Sequence, residues 1–99
     1  MNKTDFEWHK AKNDENLQKH GVTFQEAVHA FYDDFRVIAL AQKNSTELEK
    51  RYFCFGKDRN NNGVLTVSFT YRNKKIRIFG AGYWRKGKKL YDQRNNLQR

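Results

Sequence analysis

Val64-Leu65-Thr66-Val67-Ser68-Phe69-Thr70-Tyr71, then Arg72-Asn73-Lys74, then Lys75-Ile76-Arg77-Ile78-Phe79-Gly80-Ala81-Gly82: two β-rich runs joined by a short polar turn predict an antiparallel hairpin. In the first run Leu65, Val67, Phe69 and Tyr71 share one face, and Thr66, Ser68 and Thr70 share the other. That alternation has the period of a strand and fits a sheet covered on one side.

Upstream of the hairpin, Lys57 to Gly63 is rich in Asn, Asp and Gly, residues that tolerate positive φ, and reads as a turn. Arg51 to Phe55 precedes it as a second strand ending at Gly56, and Phe35 to Ala41 is another β-rich run, separated from it by the polar connector Gln42 to Lys50. Nearer the start the period becomes helical. Residues 9–20 predict a polar helix with Gly21 as its C-terminal stop. Thr23-Phe24-Gln25-Glu26 is a capping box, with Val22 and Ala27 placed as a hydrophobic staple. In the helix that follows, Phe24, Ala27, Val28 and Phe31 form one apolar stripe. Asp5-Phe6-Glu7-Trp8 alternates polar and aromatic residues, as a short strand or a clamp onto the core would. Past Trp84, residues 85–91 read as a basic turn entering a short last helix, and 92–99 as a fraying tail. The expected architecture is α+β: two N-terminal helices on a mostly antiparallel twisted sheet of four to five strands, with a short C-terminal helix, in one domain spanning residues 1–99.

Ninety-nine residues support a single core, and with hydrophobic residues at 37% the aromatic share of 15% must supply much of its filling. The lone cysteine, Cys54, can form no internal disulfide, so nothing calls for an oxidising compartment. Residues 1–5 are polar and lead into no apolar run, and no stretch reaches membrane-spanning length; a cytoplasmic protein with no membrane contact is expected. The charge is uneven. Residues 1–50 hold seven basic and nine acidic side chains, whereas residues 51–99 hold thirteen basic and two acidic, a net of +11. Such asymmetry within one domain points to a polyanion-binding face rather than a merely solvated surface.

Phe6-Glu7-Trp8, then Lys12, Asn16, Lys19-His20-Gly21-Val22, Phe24, Glu26-Ala27, Phe31 and Asp34, followed by Arg51-Tyr52-Phe53, Gly56, Arg77-Ile78 and a basic segment ending at Tyr91, resemble the pattern of BrnT-type toxins in order and over nearly the whole chain. The resemblance implies a RelE-like fold and the toxin role in a type II toxin–antitoxin pair: a small ribonuclease that halts translation. It also implies a BrnA-like antitoxin partner carrying a DNA-binding domain, so that DNA is reached only through the complex. The chain departs from the family pattern at His9, where Asp is common, at Phe35, where Pro is common, and at Gly80-Ala81-Gly82, where Ser-Ala-Arg is usual. Lys88 stands near the position of a frequent Glu. An RNA- or antitoxin-binding protein of the same fold without cleavage is the alternative those glycines suggest.

RNA cleavage without a metal requires a group to take the 2′-OH proton, a cation for the crowded phosphate, and relief of charge on the leaving oxygen. Arginine suits the phosphate because its planar fork grips two oxygens. Arg51 and Arg77 are the first candidates, with Arg85 as a substitute for the Arg absent at Gly82; the alternative for each is a surface charge or salt bridge. His20 is a candidate proton carrier or a helix-capping histidine, and Tyr71 and Tyr91 are weak acids or core residues. Lys12, Asn16 and Lys19 share a helix face that touches RNA or faces water. Tyr83 and Trp84 beside Arg85, Lys86, Lys88 and Lys89 interleave aromatics with cations, as base stacking requires, unless Trp84 plugs the core. His9, His20 and His29 are too widely spaced for a metal site, and no cofactor is expected.

Overall fold

In a computed structural model that describes residues 5–96, the chain runs β1 (Phe6–Glu7), α1 (Lys10–His20), α2 (Phe24–Ala27), β2 (Val37–Leu40), β3 (Arg51–Lys57), β4 (Val64–Arg72), β5 (Lys75–Gly82) and α3 (Arg85–Arg94), with 3-10 turns at Val28–Tyr32 and Gln42–Asn44. The sheet order is β1-β5-β4-β3-β2. Four strands form an antiparallel meander, and β1 joins the edge of β5 in parallel, so the α+β architecture stands with a mixed sheet. The hairpin turns through Asn73 (φ 53°) and Lys74 (φ 66°), both left-handed, which matches the right-handed twist of the strands it joins.

Local signals place the helices. Gly21 ends α1 at φ 71° with its N–H bonded to the Leu17 carbonyl, and both halves of the capping box between Thr23 and Glu26 are made. The apolar stripe is buried at Phe24, Ala27 and Phe31, but the helix tightens to 3-10 geometry from Val28. There Ala30 meets the sheet so closely that a Cβ on Gly56 would collide with its backbone carbonyl. This close approach explains why β3 carries a glycine opposite that turn.

The sheet is covered on both faces, contrary to the one-sided cover its alternation suggests. Phe24, Phe31, Leu65, Val67, Phe69 and Ile78 build the first core under α1 and α2. A smaller second core of Val37, Phe55, Val64 and Tyr91 lies under α3 on the opposite face. α3 packs there because Gly87 has no side chain; a Cβ would strike Thr66 Oγ1 and the Phe55 ring. Helix therefore begins at Arg85, where a basic turn was expected, and continues through 92–94, which read as tail; residues 97–99 lie outside the described region.

β1 pairs with β5 only at Ile76 and Arg77, leaving the far half of that edge to α1. Asn16 closes it: its Nδ2 donates to the carbonyls of Val22 and Ala81, both at 2.8 Å, and its Oδ1 accepts from Ala81 N–H at 3.2 Å. Asn16 is thus a buried structural residue and does not join Lys12 and Lys19 on an exposed face. Asn16→Leu keeps the volume but strands three backbone groups, which should cost about 2–3 kcal/mol and lower the melting temperature by roughly 10 °C or more. A melt by circular dichroism within 3 °C of the parent, on a scale of roughly 4–8 °C per kcal/mol, would contradict this role.

Candidate nucleic-acid interface

Strand register draws four polar side chains into one row. Arg51 pairs with Thr70, Thr70 with Arg77, and Arg77 with Glu7, so the row crosses β3, β4, β5 and β1. Paired residues point to the same face, and adjacent strands lie about 4.8 Å apart. This is the α3 face, beyond the end that α3 covers: along β3 the same face carries Phe55 under the helix, then Phe53, then Arg51.

The row is tightened by a bulge. Ser68 pairs with Gly80 but Phe69 with Ile78, which leaves Phe79 as the extra residue of β5. Arg51 reaches across β4 and lies over the Phe79 ring, its guanidinium carbon 4.4 Å from the centroid. Thr70, between the two arginines, is 1% exposed and donates its hydroxyl to the Lys50 carbonyl at 2.6 Å. The guanidiniums remain accessible, with the Arg51 side chain 42% and the Arg77 side chain 26% exposed.

Two carboxylates attend them. Glu49 accepts from Arg72 at 2.6 Å and from Arg51 at 3.4 Å, and Glu7 accepts from Arg77 at 3.3 Å. The Arg72 hydrogen bond, reinforced by Arg51, holds the Glu49 carboxyl below its ordinary range despite some desolvation. α3 borders the open area. Leu90 packs at the margin of the second core with Phe53 and Ala39, and helical spacing puts Lys86 and Arg94 on the same side of α3 as Leu90. A cationic floor, an aromatic platform and a basic wall suit a single-stranded polyanion with stackable bases.

The other candidates fall elsewhere. His20 sits at the end of α1, edge-on to Trp84 at 5.1 Å. Trp84 lies against Gly82, five residues from Arg77 and therefore about 15 Å along β5. It is half-exposed and does not plug the core. Tyr83 turns away to donate to Asp58 at 3.0 Å, and burial together with that carboxylate pushes its phenol up to about 12. Lys12 and Lys19 are exposed on α1, with Lys19 3.7 Å from Glu15. On α3, Arg85 and Lys89 are exposed and Lys88 is bound to Asp92 at 2.6 Å. Tyr91 is buried and donates to Asp33, so its phenol is held well above the usual range. Tyr71 is exposed on the opposite face of β4, its phenol raised by burial. The structure thus sets Arg51 and Arg77 in one row, with Lys86 on the side of α3 that carries Leu90, and leaves His20, Arg85, Tyr83, Trp84, Lys12 and Lys19 outside the row.

Glu7, Glu49, Phe53, Thr70 and Phe79 had escaped the sequence reading as site residues. Only the bulge signal in Gly80-Ala81-Gly82 could have drawn attention to Phe79. The Gly82 departure has a steric counterpart: a Cβ there would come within 2.6 Å of the Trp84 ring, so Trp84 occupies the space a larger residue would need. No such crowding accounts for Gly80, where the nearest atom to a Cβ would be 3.9 Å away. Among the described residues no group of three or more His, Cys, Asp or Glu could hold a metal ion, and no helix is long and apolar enough to cross a membrane.

Comparison with known proteins places this geometry in context. The sequence model of a family described as the ribonuclease toxin BrnT of type II toxin–antitoxin systems matches residues 8–87. No curated protein sequence matches the chain. The 1.1 Å crystal structure of the Brucella abortus ribonuclease toxin BrnT resembles it with a TM-score of 0.61 at 15% identity, over 83% of this chain and 97% of that one. At that identity the likeness speaks for the fold.

Proposed function

The chain belongs to the BrnT family, the ribonuclease toxins of type II toxin–antitoxin systems, and we propose that it cuts single-stranded RNA on the open face of its sheet, with Arg51 and Arg77 holding the scissile phosphate. The observation that carries this reading is the row Arg51–Thr70–Arg77, which puts two guanidiniums on one accessible face of the basic half. Each can grip non-bridging oxygens and oppose the extra negative charge that builds up as the 2′-oxygen attacks. Phe79, already stacked on Arg51, offers a neighbouring base a π surface, and Lys86 attracts the backbone from the α3 side. The residues supply acid–base and electrostatic catalysis with no metal. The partner is a BrnA-like antitoxin that covers this basic face and brings the complex to DNA through its own DNA-binding domain; the RNA target places the activity in the cytoplasm.

Inducible expression of the chain alone should arrest growth, and co-expression of a cognate BrnA-like antitoxin should restore growth. The purified protein should shorten single-stranded RNA, and its affinity should fall with salt with a log–log slope of about −2, as expected for about three neutralised phosphates on a single strand. Binding without any cut RNA, by a folded protein that arrests nothing, would replace this reading with the cleavage-silent one.

A further inference from the structure

The row holds a carboxylate that the reading above leaves without a task. Among the described residues only Glu7 and Glu49 touch its arginines. Glu49 is engaged by two guanidiniums, which lower its proton affinity. Glu7 meets one, through Oε2 at 3.3 Å, and its Oε1 makes no hydrogen bond among the described residues. Its side chain is 29% exposed, within reach of a ligand on the open face.

Glu7 is also rigidly held. Phe6 turns into the first core against Phe31, with ring centroids 5.3 Å apart, and Trp8 packs edge-on to Phe24 at 6.1 Å. The aromatic residues on either side pin the two-residue strand β1, and the alternation sends the carboxylate between them to the opposite face, beside Arg77. Of the other proton carriers in view, His20 stands near the far end of β5, and the Tyr91 hydroxyl is committed to Asp33.

Resting on the phosphate site proposed above, we infer that Glu7 is the general base of the cleavage reaction. Its Oε1 takes the proton of the 2′-hydroxyl. The 2′-oxygen forms a bond to phosphorus, the P–O5′ bond breaks, and the departing 5′-oxygen takes a proton from water. The products are a 2′,3′-cyclic phosphate and a 5′-hydroxyl, and Glu7 returns its proton to solvent. Arg77, whose guanidinium meets Glu7 Oε2 at 3.3 Å, stands beside the base and has further donors for the phosphate.

The test uses the full chain and two probes: an unmodified RNA oligonucleotide for single-turnover cleavage and its 2′-O-methyl counterpart, which cannot react, for affinity. Glu7→Gln keeps an oxygen for Arg77 but loses the base, so cleavage should fall about 100-fold or more while 2′-O-methyl affinity holds or tightens. Glu7→Asp, which retains the carboxylate, should cleave faster than Glu7→Gln. Cleavage by Glu7→Gln within a few-fold of the parent, or Glu7→Asp slower than Glu7→Gln, would overturn the assignment. A residue that merely positions Arg77 would tolerate Gln and lose affinity only as Glu7→Ala. Failure of the phosphate site itself reads differently: an Arg51→Ala, Arg77→Ala variant would stay active whatever Glu7→Gln does.

Discussion

Replacing Arg51 and Arg77 together with alanine is expected to lower RNA cleavage by about 1,000-fold or more, because each oriented donor to a phosphoryl transition state contributes on the order of 100-fold or more. Growth arrest should vanish with it. The fold should survive: both arginines make accessible ion pairs, at 3.4 Å to Glu49 and 3.3 Å to Glu7, and such pairs contribute about 0–1 kcal/mol. The loss has two parts, since deletion removes the cations and leaves Glu7 without its ion-pair partner beside the phosphate, while Glu49 keeps only Arg72. Lysine at both positions should rescue little, for a point charge cannot grip two oxygens or lie flat over Phe79. Single-turnover rates on one RNA oligonucleotide, with melts to verify folding, decide the matter. A double variant as active as its parent would move the site off this face.

Asp33→Ala should have the largest effect on stability. One carboxylate joins three parts of the chain: Oδ2 accepts from the Tyr91 hydroxyl at 2.6 Å and from Lys57 N–H at 2.8 Å, and Oδ1 accepts from Phe35 N–H at 2.8 Å. These bonds fasten α3 to the end of β3 and to the segment entering β2. Removing them leaves the buried Tyr91 hydroxyl without its acceptor, at a cost of about 3 kcal/mol and a melting point lower by more than roughly 10 °C. Amide exchange should rise first in α3, and cleavage should weaken with it, because α3 carries Lys86. Burial alone would raise the Asp33 pKa, but the bonds from Tyr91, Lys57 and Phe35 outweigh it and set the carboxyl below its ordinary value. The ionised form is therefore the one that folding favours. Its contribution is complete above the unfolded pKa, about 3.9, and disappears as the pH falls through the lower folded value. Denaturant unfolding of parent and Asp33→Asn should accordingly differ at pH 7 and converge in acid. A gap that does not narrow as the pH is lowered below about 3.9 would show that Asp33 acts through something other than its charge.

Much of this was legible in the sequence because the signals are local. Gly21 ends α1, Thr23 and Glu26 cap α2, and the alternation from Val64 marks β4, each through chemistry confined to a few neighbouring residues. The basic half and the Arg51 and Arg77 candidates follow from composition and motif, and they lie in one row once the strands pair. The second core was hidden for a related reason. Thr66 and Thr70 read as a solvent face, yet Thr66 lies beneath Gly87 of α3 and Thr70 lies between two arginines.

What the sequence by itself determined was the kind of fold, the places where most elements begin and end, and the crowding of cations into residues 51–99. Capping, period and charge are properties of short stretches and need no partner. Only the tertiary structure decided that Glu7 would stand beside Arg77, seventy residues away, that Phe79 would bulge under Arg51, and that His20 would face Trp84. Those meetings depend on strand register and on a parallel edge pairing between distant segments. Register is settled by the packing of the whole sheet between its two cores, and no single stretch contains it.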